Sequence, residues 1–302
     1  MSDTRREEHK RDLLRLFEGK EDLIKDFDRH LSTGTSLGAR IERFAYALRK
    51  YGIKALYYLT WFFPATGRAR AFWGKKIYVD LPEDIAVVFF GALPGFEAPL
   101  TKFLIKNLRH DSIFYDVGAH VGFYTSLAKE LVTEGEIHSF EANPKTFEIL
   151  KKNADREGMH ATRIGVTGEE GERVFYADLN KMSGMSGFRM NPHFSPISVR
   201  TTTLDAYTRD HTPPTIVKID VEGVEEEVLK GARHMLSSSS PVIIVELWKG
   251  DEDKKDHRET MDMLFAEGYR VYGITGDGEL EFLKDADQSK NLGFDNFVFK
   301  KD

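Results

Sequence analysis

The chain contains no cysteine. Disulfides and thiolate metal sites are therefore excluded. It has only 10 prolines among 302 residues, and no low-complexity linker or internal repeat is visible. Its most apolar local run is "ALYYLTWFF", residues 55 to 63. Nine residues fall short of the roughly 20 that cross a bilayer, so this run reads as a packed helix, with a lipid-facing role as the lesser alternative. The N-terminus, "MSDTRREEHKRDLLRLFEGKEDL", carries charges of both signs and no apolar core before a small-residue cleavage site, unlike a signal peptide. No excess of positive charge is present: the formal net charge is -6. That argues against a protein built to coat nucleic acid.

The composition is that of an ordinary globular enzyme, with 41% hydrophobic and 30% charged residues. The length suits two domains, or one α/β domain with an extension. Residues 1–70 read as a helical extension. Ile24, Phe27 and Leu31 follow a helical spacing, as do Ile41, Phe44, Ala45 and Leu48. "STGTSLG" at 32–38 separates the two sets, and Pro64 with Gly67 ends the region. "KKIYVDLP" and "DIAVVFFGA" then read as short strands.

Residues 71–302 form the second region. From about residue 112 its strands and helices alternate. "SIFYDV", "EIHSFE", "ATRIGV", "TIVKIDV", "PVIIVEL", "YRVYGI" and "NFVFKK" read as strands. Helices are predicted over 122–132, 145–157, 223–236 and 256–267. An irregular insert at about 168–212 carries two hairpin strands, "ERVFYAD" and "SVRTTTL". Such alternation predicts a mostly parallel sheet with helices on both faces. Ligands bind such sheets at the carboxyl ends of the strands, near the switch in strand order.

Three strand ends carry chemistry. In "FYDVGAHVGFYTSLAKEL", Asp116 ends a buried strand, Gly118 allows a tight turn, and Gly122 opens a helix with no capping side chain. The exposed N–H groups of that helix need a partner, and a ligand carboxylate is one candidate. Two glycines with three residues between them are not the G-x-G-x-x-G that lays backbone against a pyrophosphate. They fit an adenosine with a small charged tail, such as S-adenosylmethionine. In "IHSFEANP", Glu141 follows Asp116 by 25 positions. A carboxylate there can accept hydrogen bonds from both hydroxyls of a ribose. The plainer reading is an ordinary charge at a strand end. Asn143 and Pro144 turn the chain into the next helix. In "IVKIDVEGVEEEVLKGA", Lys218 and Asp220 sit in a buried strand, where unpaired charge is costly. Asp220 is therefore expected on the cleft floor, whereas Glu225, Glu226 and Glu227 read as first-turn helix acids.

Taken in order, "FYDVGAHVGFYTSLA", "GEIHSFEANPKTFEILKKN", "TTTLDAY" and "VKIDVEGVEEEVLKGA" resemble the successive motifs of FkbM-type methyltransferases. The resemblance covers about residues 95 to 300. It implies a class I, Rossmann-like methyltransferase sheet of seven mostly parallel strands, S-adenosyl-L-methionine as cofactor, and O-methylation of a sugar, glycolipid or natural product. It also implies cofactor contacts at Asp116, Gly118, Gly122 and Glu141, to which His120 and Asn143 are added as neighbours. His120 departs from the family's usual Asn in D-V-G-A-N-x-G.

An alcohol acceptor calls for a general base. The candidates are Asp220, Glu222, Glu246 and His193. Glu246 ends "PVIIVEL" and is expected on the same sheet edge as Asp220, while His193 lies in the insert. The insert is expected to line or cover the acceptor pocket. Paired carboxylates could also hold a divalent metal, but the spacing shows no third ligand and no metal is assigned. The expected partner is a small-molecule or glycan acceptor in the cytoplasm, with no nucleic acid, no transmembrane segment and a possible homodimer. The alternatives are an NAD-dependent oxidoreductase, opposed by the missing glycine; an amino-group nucleic-acid methylase, opposed by "IDVEGVE" and the negative charge; and a non-catalytic binding protein.

Overall fold

The computed structural model describes residues 2–28, 51–93, 97–179, 183–246, 258–284 and 296–301, with side chains undescribed at 23–28 and 258–260. The chain forms two compact units, the first running through Ala98 and the second starting at Pro99.

The first unit holds helix α1 (Asp3–Asp28), a helix α2 over residues 51–62, and an antiparallel hairpin of β1 (Ala65–Arg70) and β2 (Lys76–Leu81). It ends in a short helix α3 (Ile85–Phe90). The predicted helical spacing of Ile41 to Leu48 and the loop at 32–38 lie outside the described residues. "DIAVVFFGA", expected as a strand, is instead α3. Its β-branched content favours a strand, but tertiary context overrides that preference. Asp84 Oδ2 accepts the Asp80 N–H at 2.7 Å and turns the chain. Gly91 closes the helix in the left-handed region, with its N–H on Val87 O.

The second unit is built on one eight-stranded sheet, whose order from one edge to the other is β12 (Leu280–Phe282), β11 (Arg270–Ile274), β13 (Asn296–Lys300), β10 (Val242–Glu246), β9 (Ile216–Ile219), β3 (Ile113–Val117), β4 (Glu136–Glu141) and β5 (His160–Arg163). Helix α4 (Ala98–Asn107) leads into it. The core strands are β3, β4, β5, β9 and β10. These five run parallel. At the far edge β11, β12 and β13 add antiparallel pairings. The seven expected strands are all present, and β12 is an eighth. β3, β9 and β10, at the middle of the sheet, are apolar along most of their length, as strands covered on both faces are, whereas β4 and β5 carry more polar residues.

Helices α5 (Phe123–Leu131) and α6 (Pro144–Glu157) make the crossovers from β3 through β5. Phe147, Leu150 and Ala154 are buried on α6, as their spacing predicted. The helix expected over 223–236 is two short ones, α8 (Glu225–Lys230) and α9 (Arg233–Ser238). The break falls at Gly231, where a Cβ would lie 2.6 Å from Thr167 O. Helix α10 (Arg258–Ala266) follows β10. Tyr115, Val117, Val217, Ile219, Ile243 and Val245 from the strands share one core with Val228, Leu229 and Leu264 from the helices.

The insert forms its own three-stranded sheet. It joins β6 (Gly165–Val166), β7 (Gly171–Ala177) and β8 (Ser195–Thr202), with β7 and β8 antiparallel as read. "ATRIGV" is therefore divided, with β5 in the main sheet and β6 in the small one. A short helix α7 (Leu204–Tyr207) returns the chain to β9.

From β3 the chain moves outward to β4 and β5; from β9 it moves the other way to β10. The order reverses between β3 and β9; sheets of this kind bind ligands at the carboxyl ends of the strands beside such a reversal.

Candidate functional site at the strand reversal

Asp116 is 1% exposed and lies opposite Lys218 in the β3–β9 register. Thr125, in the first turn of α5, donates its hydroxyl to Asp116 Oδ2 at 2.6 Å. The uncapped helix is thus tied to the preceding strand by a strand acid. Burial pushes the Asp116 carboxyl above its usual range, opposed by Lys218 and Thr125. Its other oxygen, Oδ1, is buried with no hydrogen-bond partner and has Lys218 Nζ at 3.9 Å.

Gly118 is demanded by packing within the protein, and Gly122 by its backbone conformation. Gly118 has φ +77, and a Cβ there would lie 1.7 Å from Asp220 O. The loops after β3 and β9 are therefore in backbone contact. Gly122 has φ +85, and a Cβ would lie 2.6 Å from Leu150 Cδ1 on α6. Between them His120 takes a positive φ of 52. That backbone costs energy in most residues and clusters at functional sites.

The turn after β3 presents backbone to β4. Gly118 and Ala119 both donate to Phe140 O, at 3.0 and 2.9 Å. His120 N donates to Glu141 Oε2 at 2.9 Å, and Asn143 N donates to Glu141 Oε1 at 2.7 Å. Each Glu141 oxygen keeps a second lone pair. Burial raises the Glu141 pKa, while His120 and the surrounding backbone N–H groups oppose the shift. The Asn143 side chain caps α6, accepting from Lys145 N at 3.0 Å.

Across the reversal, β9 and β10 bring two more acids together. Lys218 Nζ lies 2.9 Å from Asp220 Oδ2, with the lysine side chain 4% exposed and that of Asp220 27% exposed. Burial pushes the Asp220 pKa up, but the Lys218 charge, the hydrogen bond Lys218 donates, the interaction with Glu246 and the nearby His120 outweigh it and hold it below the usual carboxylate range. Glu246 stands at the tip of β10, the strand paired in parallel with β9. Glu222 follows in a positive-φ turn, φ 55. Glu225 accepts from Gly223 N at 2.9 Å and Val221 N at 3.3 Å, bracing that turn as a first-turn acid.

The insert lies over this edge. Ser183 Oγ is 3.0 Å from His120 Nε2, and Ser186 Oγ accepts from Asn143 Nδ2 at 3.1 Å. Arg189 Nε donates to Gly223 O at 3.1 Å, and a Cβ on Gly187 would sit 2.9 Å from Glu222 O. The loop therefore touches the turns on both sides of the reversal. His193 is exposed farther along the loop, its N–H on Asn191 Oδ1 at 3.0 Å. The structure brings Asp116, Gly118, His120, Glu141, Asp220 and Glu246 to one edge and leaves His193 on the exposed loop.

Residues that the sequence reading did not assign also stand here. Thr125 and Ser183 carry no sequence signal beyond a hydroxyl. Lys218 did carry one, as a charge inside an apolar strand. Among the described residues, no group of three or more His, Cys, Asp or Glu side chains could hold a metal ion.

The chain is similar to several known proteins. A hexuronic acid methyltransferase, AglP of Haloferax volcanii, is 28% identical over 162 residues, covering 52% of this chain and 65% of that protein. The crystal structure of an FkbM methyltransferase from Methylobacillus flagellatus aligns with TM-score 0.43 at 16% identity, covering 64% of this chain and 44% of that one. An O-methyltransferase from Bacillus cereus, solved with SAH, aligns with TM-score 0.40 at 14% identity, over 69% and 81% of the two chains. The model of the FkbM methyltransferase domain matches residues 116–271. That span starts at Asp116, takes in the acids of β3, β4, β9 and β10 and covers just over half the sequence: the chain belongs to the FkbM methyltransferase family.

Proposed function

We propose that this protein is an S-adenosylmethionine-dependent O-methyltransferase whose acceptor is a hydroxyl of a sugar, with hexuronic acids as the first class to test. The reading is carried by the backbone contact of Gly118 with Asp220. It joins the Glu141 side of the reversal to the Asp220–Glu246 side, as transfer from a nucleoside donor to an acceptor requires. The hexuronic acid class comes from the Haloferax relative, of which the match spans 65%.

The residues suit the cofactor. Glu141 is held by two backbone N–H groups and keeps acceptor capacity for a ribose diol. Asp116 Oδ1, buried without a hydrogen bond and 3.9 Å from Lys218 Nζ, keeps capacity to accept one from a ligand donor. When bound, S-adenosylmethionine supplies an activated methyl group. The protein's part is to orient the acceptor and take its proton. Asp220, kept ionised by Lys218, accepts a hydrogen bond from the acceptor hydroxyl. The proton released as the new C–O bond forms passes to the Asp220–Glu246 pair. Glu222 borders this pair in its strained turn. His193 remains a weaker candidate because it stands on the exposed loop.

Two measurements test the reading. Calorimetry should show binding of S-adenosylmethionine and S-adenosylhomocysteine, and none of NAD; binding of NAD alone would move the protein to the oxidoreductases. Labelled donor should then be offered with hexoses and hexuronic acids. A hexuronic acid offers hydroxyl and carboxylate oxygens, so the product should be treated with alkali. An ether label survives, whereas release of labelled methanol would show an ester and reject the hydroxyl as acceptor.

A further inference from the structure

We infer that the outer face of α2 is a docking surface for an anionic lipid membrane. On a helix each residue turns by about 100°. Tyr51, Tyr58, Leu59 and Phe62 therefore share one face. Phe63 follows directly. These five residues are 70%, 59%, 56%, 72% and 71% exposed. The opposite face is turned inward: Thr60 is buried with its hydroxyl on Leu56 O at 2.8 Å, and Ile53 and Leu56 are half-buried. Soluble proteins scatter exposed apolar residues singly, and a contiguous stripe of this kind marks an interaction site.

Charge selects the partner. From residue 51 to residue 79 the sequence has five basic residues, Lys54, Arg68, Arg70, Lys75 and Lys76, and no Asp or Glu. The chain as a whole has net charge -6, so this stretch runs against the average. Lys54, Arg68 and Arg70 are exposed. Arg68 donates to the Tyr78 hydroxyl and Arg70 to Gly74 O at 2.7 Å, both neutral acceptors that leave the cationic charge uncompensated by those bonds. Exposed Tyr and Phe on a helix that carries Lys54 and leads directly into a basic hairpin match the composition of a segment lying in the headgroup layer of an anionic bilayer. A second copy of the chain fits less well. A two-fold contact through this stripe would bring two acid-free cationic stretches together. No helix among the described residues is long and apolar enough to cross a membrane, so the contact is interfacial.

The test is co-sedimentation of the full chain with vesicles of phosphatidylcholine alone and with about one third phosphatidylglycerol. The expected result is binding at least about tenfold tighter to the anionic vesicles, weakened by salt at about 0.5 M. Phe62→Ser/Phe63→Ser should lower it about tenfold or more. Lys54→Gln/Arg70→Gln should remove about fivefold per charge. Circular dichroism and S-adenosylhomocysteine binding, unchanged in both variants, show that the fold is kept. Absence of sedimentation with either vesicle, equal binding to both, or binding that survives the Phe62/Phe63 change overturns the inference. So does light scattering that shows a dimer dissociated by Phe62→Ser/Phe63→Ser without any vesicle binding, which assigns the stripe to a second copy.

Discussion

Lys218 and Asp220 stand two residues apart at the end of β9, where alternate side chains share a face, and their charged groups meet at 2.9 Å. The same ammonium lies 3.9 Å from Asp116 Oδ1 on β3. One buried cation thus serves acids on both sides of the strand reversal. Removing it leaves buried carboxylate charge without compensation.

Lys218→Met is therefore expected to destabilise the protein by about 3 kcal/mol near neutral pH, read from denaturant midpoints. Asp220 has a depressed folded pKa. Its stabilising contribution is present above the ordinary value of 3.8 and is lost as pH falls through the lower folded value. The stability gap between wild type and variant should accordingly narrow on strong acidification.

Glu141→Ala should weaken S-adenosylhomocysteine binding. Each charge-assisted hydrogen bond contributes about 1.5–3 kcal/mol, so calorimetry should show Kd raised by about tenfold or more. Unchanged affinity would remove Glu141 from the nucleoside site.

Affinity should also depend on pH through this residue. Burial places the Glu141 pKa above the ordinary 4.5. As pH is lowered from neutrality through that raised value, the carboxylate gains a proton and loses acceptor strength, so Kd rises. Glu141→Gln should bind more weakly at neutral pH, with a flatter dependence; an equally steep profile in the variant would assign the titration to another group.

Asp220→Asn should keep S-adenosylhomocysteine affinity within a few-fold and lower kcat by about 100-fold or more, the usual contribution of a positioned base. A fully active variant would pass the role to Glu246 or Glu222.

Two glycine substitutions separate backbone strain from steric contact. Gly158 has φ +67 with nothing within 4 Å of a Cβ, so Gly158→Ala should cost about 1 kcal/mol in urea unfolding. Gly118→Ala adds the 1.7 Å encounter with Asp220 O and should cost about 3 kcal/mol or more, with loss of donor binding. Equal costs would show that the loops after β3 and β9 do not meet as described.

The alternating pattern from residue 112 onward was readable because β3, β9 and β10 are apolar nearly throughout, and acids at the strand ends stand out. Asp116, Glu141, Asp220 and Glu246 were all found in that way. "DIAVVFFGA" misled because its β-branched residues favour a strand while the Asp80–Asp84 turn and Gly91 shape a helix. The two glycines of the opening motif were visible, but their partners were not. Gly118 faces a carbonyl 102 residues away, and Gly122 faces a leucine on the next helix.

Local spacing and residue chemistry, then, were enough for the strand–helix order, the acids at the strand tips and the family likeness, since each depends on neighbours in the chain. Folding alone decided that Lys218 joins Asp220 to Asp116, that Thr125 ties α5 to the buried Asp116, and that the insert's serines reach His120 and Asn143. Lys218 and Asp116 are 102 positions apart, and Ser183 and His120 are 63 apart. The energies of these contacts come from burial and from distances of a few ångströms, which no one-dimensional pattern encodes.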